Sequence, residues 1–227
     1  SVTQTLRLDS LVVQHSVPPA SAVVGEISLV DDPDPSAEIG VIEKDDVVVL
    51  SSIDGGEEVR FAYDVRATIA SRDENGFDAI RIDTPTPTEF ESLYMGQPLK
   101  EVDPDLVKVD KDGIEVVFTS NRIDYSNNVP LRIIFKGSTV IFGTIFSGTV
   151  WDTQSEILGQ PVLEGDANYE VRTNSLRVAL SRSSVGEIVR AIEYFPKILT
   201  PNGDGLNDRM QISYTVIQIS EPKPVNV

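Results

Sequence analysis

The residues best suited to chemistry lie near the C-terminus, in the loop Thr200–Asp208. Oxygen donors occupy every second position of this loop, three from side chains and one from a backbone carbonyl: Asn202, Asp204, Leu206 and Asp208. The two glycines between them let the backbone curl, so that these oxygens turn towards one point. Because Ca²⁺ is a hard cation that selects such oxygens, the spacing predicts a calcium site. A metal-free turn rich in Asn and Asp is the alternative.

Side chains that could support catalysis are few. The chain has one histidine, His15, and no cysteine, which excludes multi-histidine metal sites, zinc–thiolate sites and cysteine nucleophiles. Carboxylate pairs of the kind that glycosidases use occur in two places: Asp103 with Asp105, and Asp110 with Asp112. No glycine-rich phosphate loop or Gly-x-Ser-x-Gly elbow is present. The sequence therefore predicts a protein that is not an enzyme.

Aromatic residues leave carbohydrate binding open as an alternative function, since exposed aromatic rings can serve as stacking platforms for sugars. Four residues are candidates for this role: Trp151, Tyr94, Tyr125 and Tyr169. The core or its rim is the simpler place for most of them. Trp151 in particular ends a long apolar segment, which favours a position in the core.

The candidate calcium loop belongs to a longer stretch that resembles a known family. Residues 195–208, followed by Ile212-Ser213-Tyr214, resemble the opening of C-terminal Ig-like modules in bacterial surface proteins. These modules are the Ig-like domain of flagellar hook-capping proteins and the sorting domain of gliding-associated secretion substrates, in which a TPNGDGxND loop leads into a strand ending in Ser-Tyr. The resemblance covers residues 195–214 and does not extend to residues 1–190. It implies a secreted or surface-attached multidomain protein whose C-terminal module serves in export or anchoring.

The charge balance limits the partners that the protein can have. The 227 residues include 36 acids and 19 bases, a net charge of −17, and 24 of the acids with 9 of the bases lie in residues 1–112. Such a chain repels nucleic acid and anionic membranes, and no apolar run approaches the roughly 18 residues of a membrane helix. Acidic loops such as Asp31–Asp34 are typical of a solvated surface, with calcium coordination in some of them as the alternative. We therefore expect protein partners, no nucleic acid and no membrane insertion.

Polar and apolar residues alternate along most of the chain, which predicts β-strands with one buried face. The predicted strands are Thr5–Val13, Val59–Ala67, Ala79–Asp83, Leu131–Phe135, Thr139–Trp151, Val171–Leu180, Ile188–Tyr194 and Gln211–Ser220. Residues 107–118 predict a hairpin, in which Asp112-Gly113 would supply the positive φ of a tight turn. Thr88–Met95 carries the pattern of a short helical turn. We expect at least ten strands and no helix longer than about three turns.

The spacing of the turn signals predicts the fold. They recur about every 8–12 residues, which suits an all-β, antiparallel β-sandwich of Ig-like or adhesin-like type and leaves no room for βαβ units. We assign residues 1–186 to this sandwich region, with two sub-sheets or two small sandwiches as the alternative. Residues 187–227 then form a linker strand and the first strands of a second, incomplete Ig-like module. Because two strands alone are marginal in water, we expect either further sequence or a neighbouring subunit to complete them, the latter by strand addition through residues 211–220.

Taken together, these patterns predict a non-enzymatic structural or interaction segment of a bacterial surface or secreted multidomain assembly. The resemblance over residues 195–214 implies a location outside the cell or on its surface, with a signal peptide removed ahead of the first predicted strand. A carbohydrate-binding module of a secreted enzyme is the alternative. The sequence does not determine the specific partner or ligand.

The calcium prediction can be tested by calorimetry. The wild-type chain should bind calcium with a dissociation constant of about 10⁻⁴–10⁻³ M, because the loop offers few charged ligands. Asp204→Ala should lose this binding, and magnesium at the same concentration serves as the control ion. If the wild-type chain gives no binding heat at millimolar calcium, the loop is a turn without a metal.

Overall fold

The alternating segments of the sequence form strands throughout the described part of the chain. The computed structural model describes residues 19–31, 55–139, 143–171, 173–178, 189–201, 207 and 209–216. Its strands, in chain order, are β1 (Ala22–Leu29), β2 (Glu58–Thr68), β3 (Ala79–Asp83), β4 (Glu89–Met95), β5 (Lys100–Val102), β6 (Leu106–Asp110), β7 (Gly113–Val117), β8 (Leu131–Ser138), β9 (Thr144–Ile145), β10 (Gly148–Trp151), β11 (Gln160–Glu164), β12 (Arg177–Val178), β13 (Val189–Phe195) and β14 (Gln211–Val216). In these residues the only helical element is a 3-10 turn at Thr119–Asn121. The expected strand content and the lack of long helices are confirmed there, while the strand predicted at Thr5–Val13 lies outside the described residues.

Ten strands form one sheet in the order β5-β4-β8-β2-β1-β11-β10-β3-β7-β6. Neighbouring strands are antiparallel except β1 and β11, which run parallel through the pairs Val24–Leu163 and Gly25–Glu164. Strand β4 near one end of this order contacts β6 at the other end, so the sheet curls until its two halves face each other. The predicted all-β sandwich class is confirmed, with one parallel pair in an otherwise antiparallel arrangement.

The hydrophobic core lies between the two halves of the sheet, and the period-two pattern supplies it. Phe61, Tyr63 and Val65 alternate along β2 and are fully buried. The ring of Phe61 packs against Phe135 and Phe146, with centroids 5.5 and 5.1 Å away. The facing half contributes alternate residues of β3 and β7: Ile80, Ile82, Ile114 and Val116. Burial of these side chains is the main source of the fold's stability.

The hairpin predicted over residues 107–118 is confirmed as β6–β7, but the turn differs from the prediction. Gly113 has no positive φ and is paired within β7. The amide of Asp112 donates instead to the carboxylate of Asp110 at 2.8 Å, which closes the turn. Glycine is required at position 113 for space, because a Cβ there would strike the carbonyl oxygen of Ile82.

The segment Thr88–Met95 is not the short helical turn that its acidic start suggested. It forms strand β4, which pairs with β8. Leu93 and Met95 are both buried on the core side, two positions apart. The burial of this alternating pair outweighs the helix-start pattern, since helix propensity is weak compared with tertiary packing.

The strand predicted at Val171–Leu180 is much shorter in the structure. Only the two residues of β12 are paired in its described part, and they pair with β9. The amides of Asn174 and Leu176 donate to the carboxylates of Glu26 and Glu164, at 2.9 and 3.1 Å. These N–H groups are therefore satisfied by side chains and not by a sheet ladder.

Strands β13 and β14 form a separate two-stranded antiparallel sheet, and within the described residues they pair only with each other. The predicted boundary between residues 186 and 187 falls in a stretch outside the described residues and stays a prediction. The described part of the chain contains no helix that is long and apolar enough to span a membrane.

Candidate functional site

The four predicted calcium ligands, Asn202, Asp204, Leu206 and Asp208, lie outside the described residues. The residues that flank them are described. The amide of Thr200 donates to the carbonyl oxygen of Asn207 at 2.9 Å, and Asn207 has a positive φ of 55°. The two described flanks of the loop, Thr200 and Asn207, therefore lie next to each other. Calcium binding stays a prediction.

Two of the four carboxylates considered for catalysis, those of Asp105 and Asp110, have structural partners. Asp105 accepts hydrogen bonds from the backbone and side chain of Ser120, which lower the pKa of Asp105. Asp110 pairs with Arg81 at 3.0 Å, and this hydrogen bond lowers the pKa of Asp110. No group of three or more acidic or histidine side chains in the described residues could hold a metal ion. His15 lies outside them.

The four aromatic candidates for sugar binding divide into two groups. Trp151 in β10 and Tyr94 in β4 are half-buried within strands. Tyr169 and Tyr125 lie in loops with 65% and 47% of their surface exposed. The structure therefore offers Tyr169 and Tyr125 as platforms, while Trp151, which was expected in the core, is only half-buried and is not part of the core cluster.

Tyr169 and Tyr125 each line a pocket, and each has an arginine side chain over its ring. A pocket of about 170 Å³ is bounded by Tyr169 and Arg66, and the guanidinium carbon of Arg66 lies 4.7 Å from the ring centroid. The apolar residues that line the same pocket include Pro98, Leu99 and Pro130. A more open pocket of about 330 Å³ is lined by Tyr125, with Arg72, Arg122, Glu74 and Asp124 among the residues around it. The Tyr169 pocket combines an aromatic face with few polar groups, as small-ligand sites do.

The loop that carries Tyr169 is held by a fully buried carboxylate, that of Glu26 in β1. One carboxylate oxygen accepts the backbone amides of Ala167 and Asn168 at 2.9 and 2.8 Å. The other accepts the hydroxyl of Thr173 at 3.2 Å and the amide of Asn174 at 2.9 Å. Burial raises the pKa of Glu26, while these four hydrogen bonds act in the opposite direction. One side chain thus fixes both ends of the loop.

A second buried carboxylate lies beside Glu26 on the next strand. Asp64 in β2 is directly opposite Glu26 in the register and directly opposite Arg132 in β8. Arg132 forms a two-point ion pair with Asp64, at 2.8 and 3.1 Å, and Asn168 donates to the same carboxylate at 3.2 Å. Burial raises the pKa of Asp64, and Arg132 opposes that rise. Glu26, Asp64 and Arg132 thus form a row on the outer face of the sheet, where strand alternation predicts side chains in contact with solvent.

Sequence patterns did not single out Glu26 and Asp64, because both occupy polar positions of alternating strands. Such positions normally face water. The signal that could have found them lies in the loop, where Asn168 and Thr173–Ser175 supply many short polar side chains and backbone donors. A loop of this kind needs an acceptor, but its sequence does not say which strand provides one.

The β13–β14 sheet has one apolar face. Its register places Tyr194 opposite Ile212 and Val189 opposite Val216. By alternation, Tyr214 shares this face. Ile192, two residues before Tyr194, also lies on it, and a register shift between Arg190 and Glu193 keeps Val189 on the same face. The main apolar members are well exposed: Ile192 61%, Tyr194 44%, Ile212 50% and Tyr214 46%.

The opposite face of the β13–β14 sheet is mostly polar. Glu193 pairs with Ser213, and Gln211 pairs with Phe195. The sheet is therefore amphipathic, as a strand pair is when one face packs on a core and the other meets water. In this chain the face that should pack is exposed to solvent.

Comparisons with known proteins give little further information. No protein-family model matches the chain, and no curated protein matches it in sequence. Among solved structures, the pilus backbone protein RrgB from Streptococcus pneumoniae is similar over 57% of this chain, with 13% identity and a TM-score of 0.34. The similar region covers 30% of that protein. A likeness of this size transfers no function, and the fold class rests on the strands described above.

The role of Glu26 can be tested with Glu26→Gln. The variant should lose about 1–3 kcal/mol of unfolding free energy, because its amide nitrogen would face backbone N–H donors. Chemical denaturation measures the loss, and amide hydrogen exchange should accelerate at Ala167, Asn168 and Asn174. Glu170→Gln changes an exposed carboxylate of the same loop and serves as the control. Unchanged stability and exchange in Glu26→Gln would show that the carboxylate does not hold the loop.

The same variant has an expected pH dependence. The pKa of Glu26 is raised in the folded protein. The contribution of this proton equilibrium to the free energy of unfolding is therefore fully present below the unfolded-state pKa of Glu26. That contribution is lost as the pH rises through the raised folded-state pKa. The difference in unfolding free energy between wild type and Glu26→Gln should therefore narrow as the pH rises, and a widening difference would contradict this sign.

Proposed function

We propose that the chain is a non-enzymatic structural or interaction segment of a bacterial surface or secreted multidomain assembly. The exposed apolar face of the β13–β14 sheet carries this proposal. A two-stranded sheet is marginal in water, and an exposed apolar face of this kind marks a site of protein interaction. A partner layer that covers this face would both stabilise the sheet and join the chain to its assembly.

Two observations support a location outside the cell. The stretch over residues 195–214, which resembles export and anchoring modules, contains the first four residues of β14 and the last residue of β13. The remainder of the chain is strongly acidic, with a net charge of −17 overall, which keeps an extracellular protein soluble and repels anionic surfaces.

Strand addition is the finer form of the proposal. Within the described residues, β14 pairs on one side only, with β13. The backbone N–H and C=O groups on its other side can therefore pair with a strand from a neighbouring subunit. Residues 211–220 are the segment proposed to receive that strand.

A carbohydrate-binding module is the second candidate, and the Tyr169 pocket favours it. This pocket is about the size of one sugar ring, at roughly 170 Å³, and Tyr169 supplies an exposed aromatic face. Glu26 holds the loop beneath it, so that the ring is presented by a fixed backbone. The secreted enzyme to which such a module belongs would then lie outside this chain.

Surface labelling tests the first candidate. Antibodies raised against the chain should label intact cells of the organism that produces it, or detect the chain in the culture medium. Antibodies against a cytosolic protein serve as the control for cell integrity. Labelling that requires permeabilised cells would overturn the proposed location.

A glycan array tests the second candidate. If the chain is a carbohydrate-binding module, it should bind a defined glycan, and Tyr169→Ala should weaken that binding at least about tenfold through loss of the aromatic face. Trp151→Ala and Tyr125→Ala identify any other platform, and Tyr94→Ala, at a half-buried strand position, is the control. Absence of binding to all glycans would remove this candidate.

A further inference from the structure

We propose that the Tyr169 pocket binds a sugar that carries a carboxylate, a uronic acid, and that Arg66 receives this carboxylate. The inference deepens the second proposed function, carbohydrate binding, on which it rests, by naming the class of sugar. The observation that carries it is a guanidinium group in the pocket that has no carboxylate partner among the described residues.

The charge of Arg66 is unpaired in a chain that is rich in carboxylates, since acids outnumber bases 36 to 19. Four other arginines each hold a carboxylate oxygen at 2.7–2.9 Å: Arg60, Arg81, Arg122 and Arg132. Arg66 is half-buried, and within the described part of the chain it forms no hydrogen bond or ion pair. Because burial of a charge is costly unless the charge is paired, this position favours an anionic ligand.

The carboxylates nearest to Arg66 in the sheet are occupied by other donors. Asp64 lies two residues before Arg66 in β2, so the two side chains share the outer face of the sheet. The carboxylate of Asp64 accepts two hydrogen bonds from Arg132 and one from Asn168. The carboxylate of Glu26, on the adjacent strand, accepts four hydrogen bonds from the loop above it. The guanidinium of Arg66 therefore keeps its N–H groups for a ligand.

Tyr169 positions this guanidinium. The guanidinium carbon of Arg66 lies 4.7 Å from the centroid of the Tyr169 ring. Such stacking uses the flat face of the guanidinium and leaves the N–H donors at its edge, which match the two oxygens of a carboxylate. Arg66 covers one face of the ring, and because 65% of the Tyr169 surface stays exposed, the rest of the ring remains open to the sugar.

The other residues of the pocket suit a sugar ring with a single negative charge. Gln97 and Glu170 line the pocket, and their side chains form no hydrogen bond within the described residues, so both can bond to hydroxyl groups. The apolar lining supplies contacts for the C–H groups of the ring: Pro98, Leu99 and Pro130. The carboxylate of Glu170 repels a doubly charged phosphate more strongly than a carboxylate. A uronic acid unit therefore fits this set of groups better than a phosphorylated sugar.

Binding of uronic acids and of their methyl esters tests the ligand class. The probes are oligosaccharides of glucuronic, galacturonic, mannuronic and guluronic acid, and each methyl ester keeps the ring while it removes the charge. Calorimetry should show binding of at least one acid, and its ester should bind at least about tenfold more weakly. Failure of all four acids to bind, or equal binding of acid and ester, overturns the inference. A neutral glycan that still binds on the array would then leave carbohydrate binding standing, whereas binding of no glycan removes both.

Substitution of Arg66 tests the assignment of the residue that receives the carboxylate. Arg66→Gln should weaken binding of the acid at least about tenfold and leave binding of the ester unchanged, so that the difference between the two probes disappears. Arg72→Gln is the matched control, because the guanidinium carbon of Arg72 also lies over an exposed tyrosine ring, 5.9 Å from the centroid of Tyr125. This control should keep the full preference for the acid. Arg66→Gln with an unchanged preference, or Arg72→Gln with a lost one, overturns the proposal.

A second substitution keeps the test decisive if Arg66→Gln disturbs the pocket and loses both probes. Arg66→Lys retains the positive charge without the planar fork of N–H donors, so it should bind the acid more weakly than the wild-type chain but still better than the ester. Equal binding of acid and ester by Arg66→Lys would overturn the role of Arg66.

Discussion

The buried carboxylate of Glu26 is the interaction on which one side of the sandwich depends. A carboxylate without partners could not stay in this position, because transfer of a charge out of water costs several kcal/mol. Four donors from one loop, spread over Ala167 to Asn174, make its burial tolerable. The dependence is mutual, since the same loop would bury backbone N–H groups without acceptors if the carboxylate were absent.

The loop and the first strand are joined by more than one side chain. The amide of Ile27 in β1 donates to the carbonyl oxygen of Ser175 at 2.8 Å, and the amide of Gly165 donates to the carbonyl oxygen of Gly25 at 3.1 Å. On the edge of β1 away from β2, the backbone groups near Val24 and Gly25 therefore pair with β11, and the amide of Ile27 bonds to the loop. An irregular segment takes the place of a strand, and this explains why an aromatic platform at Tyr169 can stand on a fixed backbone.

Much of the fold could be predicted because one physical rule, period-two alternation, governs it. In strands such as β2 and β8 the residues that face the core recur at every second position, and their sequences show this directly. The sequence could not show that Thr173 and Asn174 lie outside a sheet ladder, because the carboxylate that they bind, that of Glu26, is on a strand about 150 positions away in the chain. The prediction of a helical turn at Thr88–Met95 was wrong for a related reason. The buried residues opposite Leu93 and Met95 belong to β8, which is distant in the sequence. For the site, the sequence named the tyrosines as candidate platforms and predicted strands near the C-terminus, but it could not show which tyrosines are exposed or which lie beside a pocket.

The parallel pair between β1 and β11 determines the order in which the protein can assemble. Val24 and Leu163 are roughly 140 residues apart in the chain, and non-local pairing of this kind forms late. During synthesis β1 can pair with β2 as soon as both have left the ribosome, but its second edge stays open until β11 emerges. A nascent chain therefore carries an unpaired strand edge until β11 emerges, which is the condition under which chaperones bind and aggregates begin. Among the ladders of the ten-stranded sheet, the one that joins its two halves needs the strand that is synthesised last, β11.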